Sequence, residues 1–113
     1  MLNRLNTMSH NITQQFNDRI VERLKGIYDP EIPVNIYDLG LVYDISVDEN
    51  YVAHILMTLT APNCPVAESL PEEVQMKIAA IEGLKGCEVE ITFDPPWDQD
   101  MMSESAMLDL GFL

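Results

Sequence analysis

The segment Leu41–Thr60, LVYDISVDENYVAHILMTLT, carries the most regular pattern in the chain. Leu41, Tyr43, Ile45 and Val47 alternate with Val42, Asp44, Ser46 and Asp48, the period of two of a half-buried strand. Asp48-Glu49-Asn50 then turns the chain, and Tyr51 to Thr60 returns as a second strand. Ile55, Met57 and Leu59 are expected to face the core, with His54, Thr58 and Thr60 on the other side. So close a pair predicts an antiparallel hairpin. Because only one face is apolar, helices should cover that face alone.

Downstream, Leu70, Val74, Ile78 and Ile81 follow helical spacing, and Gly83 is placed to end the helix. Its start has two readings. Pro65 is the first helical position with Cys64 as the cap, or Ser69-Leu70-Pro71-Glu72 is a capping box with a break or kink before it. Cys87, Val89, Ile91 and Phe93 then alternate with Glu88, Glu90, Thr92 and Asp94, which predicts a third strand. The DPPWDQDMM stretch at 94–102 is a rigid exit loop, and Ser103 starts a short helix closed by Gly111.

Upstream, Phe16, Ile20, Leu24 and Ile27 form a helical stripe that must end before Pro30. The loop DPEIPVNIYDLG at 29–40 holds two prolines and three acids, yet carries Ile32, Val34, Ile36 and Leu39 to bury. Residues 1–16 are polar and aperiodic and read as a disordered N-terminal arm, with 17–113 as the single domain. The order helix, strand, strand, helix, strand, helix predicts an α+β two-layer sandwich, a small mixed sheet with helices on one face.

Nineteen acids against six Lys and Arg give a net charge of −13, which disfavours nucleic-acid and anionic membrane surfaces as partners. No run approaches the ~18 apolar residues of a membrane span, and the N-terminus lacks a secretory h-region, so a cytoplasmic location is expected. There the two cysteines are thiols rather than a disulfide.

The two thiols differ. Cys87 shares an alternation face with Val89 and Ile91 and reads as core. Cys64 stands in TAPNCP at 60–65, at or near a helix start, where unpaired amides favour a thiolate and Pro62 and Pro65 restrict the backbone. It is either a turn-closing apolar side chain or a sulfur presented outward. One such thiol completes neither a zinc site nor an iron–sulfur cluster, each of which wants four ligands. A hydrolase would need a histidine base, and the chain offers only His10 and His54. Asp29, Asp38 and Asp94 are placed to bond local N–H groups and shape turns, while Glu31 is open to a ligand or acid–base role. Trp97 reads as a lid on the core.

DPEIPVNIYDLGLVYDI, MTLTAPNCP and VEITFDPPWDQDMMS resemble, in order and spacing, the SufT-like proteins of iron–sulfur assembly. That wider family also contains the PaaD-type subunits and the cytosolic iron–sulfur targeting factors. The resemblance spans about residues 18 to 111. It implies a non-enzymatic accessory factor that helps to deliver or mature clusters on client proteins. The motif cysteine falls on Cys64, and the surrounding motif residues on Asp29, Pro30, Glu31, Asp38, Gly40, Thr60, Pro65, Asp94 and Trp97. Implied partners are the iron–sulfur assembly machinery and client iron–sulfur proteins. The implied cargo is a transient iron–sulfur cluster or iron, with none bound permanently by one chain. Cys64 would then be a ligand shared with a partner or with the second subunit of a homodimer. The competing readings are an accessory subunit of one oxygenase complex and a thiol-dependent enzyme using Cys64 with His54 or Glu31.

Overall fold

The computed structural model describes residues 4–60 and 69–112, with side chains from Asn11 onward. The element order is α1 (Arg4–Leu24), β1 (Val42–Val47), β2 (Val52–Met57), α2 (Ser69–Ala79), β3 (Gly86–Ile91), a 3-10 turn (Gln99–Met101) and α3 (Glu104–Asp109). β2 lies in the middle of the sheet, antiparallel to β1 and parallel to β3. The architecture is the expected α+β sandwich with a small mixed sheet.

The hairpin turn forms because Asp48 Oδ1 accepts from the amides of Asn50 and Val52, while Tyr51 takes a left-handed φ of 61°. Ala53, Ile55 and Met57 alternate into the core from β2, opposite Val47 and Ile45 on one side and Cys87, Val89 and Ile91 on the other. α1 packs against β1, α2 against β3 and β2, and the two helices meet each other. Phe16, Ile20 and Leu24 from α1 and Leu70, Val74 and Ile78 from α2 close the core. Arg19 and Arg23 of α1 donate to the carbonyl oxygens of Glu82 (3.0 Å) and Lys77 (3.2 Å), satisfying acceptors at the C-terminal end of α2.

Four details differ from the sequence reading. First, α1 begins at Arg4, so a division at 16/17 falls inside one helix. Ile12 packs against the core, and Thr13 Oγ1 accepts from the Val47 amide at 2.8 Å. Second, the ladder shifts register between Val42 and Asp44. The extra residue puts Val42 opposite Met57 and turns Tyr43 out of the expected core series, as a β-bulge does. Third, β3 ends at Ile91, whose parallel partner Met57 is the last residue of β2, so Phe93 lies beyond the ladder and is 45% exposed. Fourth, Thr58 is fully buried instead of facing outward, and its hydroxyl has no partner among the described residues.

The described part of α2 runs from Ser69 with Glu72 in its first turn. The choice between the two starts, and whether the chain kinks ahead of Pro71, lies outside the described residues, as do Cys64 and Pro65. Ser103 caps α3 by accepting from the Ala106 amide at 3.1 Å, and Gly111 follows the helix at a φ of 80°. No described helix is long and apolar enough to cross a membrane.

Candidate functional site

The first motif loop, residues 29–40, is built from its own polar side chains. Asp29 is buried, and its Oδ2 accepts from the amides of Glu31 and Ile32, both at 2.9 Å. A carboxylate accepting two amides fixes the turn that follows Pro30. A short bridge joins Tyr28 to Asn35, and Ile36 N–H bonds the Ile27 carbonyl at 2.8 Å, so the loop closes on its own base. Asn35 and Asp38 then clasp each other. Asn35 Nδ2 donates to Asp38 Oδ2 at 2.8 Å, and the Asp38 amide donates to Asn35 Oδ1 at 2.9 Å. Glu31 is exposed, at the rim of this loop.

The second motif loop is fastened onto the first. Gly40 has a φ of 82°, and a Cβ there would stand 2.3 Å from the Met101 carbonyl oxygen. Only glycine admits that contact. The indole N–H of Trp97 donates to the Leu39 carbonyl at 2.7 Å, and the Ser103 amide donates to the Asp38 carbonyl at 2.7 Å. Tyr43, displaced by the bulge, donates its hydroxyl to the Pro95 carbonyl at 2.8 Å. The Asp94–Pro95 peptide is cis. Asp94 itself is exposed, and its amide donates to Thr92 Oγ1 at 3.2 Å.

Asp38, Gly40 and Trp97 are thus brought into one cluster by direct bonds or contact with the 95–103 segment, and Asp29 anchors the same loop from its other end. Thr60 is half-buried at the last described position before residue 69. How these groups stand relative to Cys64 lies outside the described residues.

Cys87 is buried near the start of β3, and burial, followed by the charge of Glu88, pushes its thiol up to about 11. It is a protonated packing group at neutral pH. His54 lies on the opposite sheet face, 2.8 Å from Asp48 Oδ2 and 3.3 Å from Glu88 Oε2. The hydrogen bond from His54 is the main cause that holds the Asp48 carboxyl below its ordinary value. Among the described residues no three His, Cys, Asp or Glu side chains are gathered to hold a metal ion.

Two features escaped the sequence reading. Tyr43 was expected in the core and instead clamps Pro95; the signal was the adjacent pair of apolar residues, Val42-Tyr43, at the start of the strand. Met101 presses on Gly40, a contact across sixty residues of chain that no local pattern encodes.

Residues 17–91 match the protein family described as "Iron-sulfur cluster assembly protein". A Fe-S protein maturation auxiliary factor of Porphyromonas gingivalis is 52% identical over 99 residues, covering 88% of this chain and 94% of that protein. The Fe-S protein maturation auxiliary factor YitW of Bacillus subtilis is 41% identical over 98 residues, covering 87% and 96%. Among solved structures, a domain of unknown function, DUF59, from Bacillus anthracis superposes with a TM-score of 0.82 at 35% identity, covering 88% of this chain and 95% of that one. A conserved hypothetical protein of Thermotoga maritima superposes at 0.72 with 38% identity, covering 83% and 92%.

Proposed function

Since the chain belongs to the iron–sulfur cluster assembly protein family, we propose that it is an accessory factor in the maturation of iron–sulfur proteins, acting through protein docking and the thiol of Cys64. The observation that carries this reading is the near-full-length likeness to two proteins named as Fe-S protein maturation auxiliary factors.

The chemistry of the chain supports the same reading. Asp29 and Asp38 are committed to backbone and Asn35 bonds, so they shape the loop rather than act on a substrate. Of the two thiols, Cys87 is held protonated in the core, so the reading rests on Cys64. A cluster wants four thiolates or equivalents, so an iron–sulfur cargo would be shared between this chain and its partner, or between two copies each giving Cys64. Glu31, exposed at the rim of the first motif loop, is the acid this reading assigns to such a shared site. The partners of this role are the assembly machinery and its clients.

A deletion strain tests it. Activity of a client such as aconitase should fall, return with the wild-type gene, and fail to return with Cys64→Ser. Full rescue by Cys64→Ser would overturn the role of the thiol. Anaerobic reconstitution with iron and sulfide then separates carrier from docking factor. Visible absorption bands that require Cys64 mark a carrier, and their absence with intact rescue marks a factor that only docks.

A further inference from the structure

Only one face of the sheet is covered by the described helices. On the other, the register sets Asp44, Leu56 and Glu90 in one cross-strand row and Ser46, His54 and Glu88 in the next. Carboxylates therefore flank Leu56 on both sides, about 10 Å apart across two strand spacings. This face is concave, forming a hollow of about 490 Å³. Leu56 also lines a second hollow of about 540 Å³ walled by Tyr43, Pro95 and Met101, with Asp94 beside them. The wall is fixed, because the Tyr43 hydroxyl is bonded to the Pro95 carbonyl. Phe93, 45% exposed, directly precedes this rim in the chain.

We infer that this open face is a docking surface for a basic segment of a partner protein, with a pair of apolar side chains as its anchor. The anchor fills the hollow beside Leu56, Tyr43 and Met101, and Lys or Arg on either side of it meet Asp44 and Glu90. An apolar pocket within a charged rim is the arrangement in which burial supplies affinity and charge supplies orientation. The charge also selects the occupant. A chain of net charge −13 attracts a basic segment from a distance, whereas a second copy of the same acidic face is repelled. Peptide binding is read without any client or cluster, so failure of this surface is distinguishable from failure of the maturation role.

The test is an amide NMR titration of the full chain at low salt with two peptides. One has a Leu-Phe pair flanked by two lysines on each side, and in the other Ser-Ser replaces the pair. The expected result is shifts at Ser46, His54, Leu56 and Glu90, with the Leu-Phe peptide bound at least fivefold tighter. Glu90→Lys and Leu56→Thr should each weaken it at least fivefold. Glu90 is exposed, so its variant carries the test if Leu56→Thr does not fold. Absent binding, equal binding of both peptides, or shifts confined to α1 and α2 would each overturn the inference. So would peptide-independent, concentration-dependent broadening over the same amides, which marks a second copy.

Discussion

Trp97 holds Leu39. The indole N–H and the Leu39 carbonyl are 2.7 Å apart across 58 positions of sequence, and the Leu39 side chain is fully buried beside them. This one bond joins the loop after α1 to the loop after β3, so the two most distant motif stretches form one structural unit.

Replacing the indole tests that joint. Trp97→Phe keeps an aromatic ring on the core but leaves the Leu39 carbonyl without its donor. The expected loss is about 1–2 kcal/mol, read as a lower urea midpoint with an unchanged slope.

Glycine 40 and glycine 111 make a matched pair. Both have left-handed φ values, 82° and 80°, but a Cβ at Gly40 meets the Met101 carbonyl while one at Gly111 meets nothing within 4 Å. Gly111→Ala should cost about 1 kcal/mol from backbone strain alone. Gly40→Ala should cost about 1–3 kcal/mol more, because the 99–103 segment must move. Equal thermal shifts for the two variants would show that the close approach is not maintained in solution.

Asp29→Ala removes the buried acceptor for two amides of a part-exposed turn, and a loss of about 1–2 kcal/mol is expected. Asp29→Asn keeps an acceptor oxygen without the charge and should recover part of it. Faster amide exchange at Glu31 and Ile32 would locate the effect.

The Cys87 thiol is raised in the fold from an ordinary value of 9.0 to about 11. The folded state thus keeps a proton that the unfolded chain gives up, so this contribution is complete below about pH 9 and is lost as pH rises through about 11. Stability of Cys64→Ser should decline over that window, and the decline should be smaller in Cys64→Ser with Cys87→Ala. At pH 8 the native Cys64→Ser protein should react with a thiol reagent only after denaturant is added.

Much of this was legible because it is periodic or local. The hairpin between β1 and β2, the stripe of Leu70, Val74 and Ile78, and the core place of Cys87 each follow from side-chain spacing. Asp29 and Asp38 behave as short acids in loops do, bonding the backbone or a neighbour a few positions away. What spacing concealed was set by pairing with distant chain. The bulge at Tyr43 depends on where Pro95 lies, and the end of β3 depends on where β2 runs out. The upstream turns of α1 continue the spacing of Phe16 and Ile20 through Ile12, Met8 and Leu5, a stripe hidden by the polar residues around it, and Thr13 fastens them to Val47 across 34 positions.

The family match ends at Ile91, but the fold does not. Beyond it, Met102 and Ala106 are buried in the common core, and the 97–103 segment supplies the donors for the Asp38 and Leu39 carbonyls. A chain cut after Ile91 would keep every matched position and still expose the underside of its own motif loop. The piece that folds as one unit is therefore longer than the stretch that the family match spans.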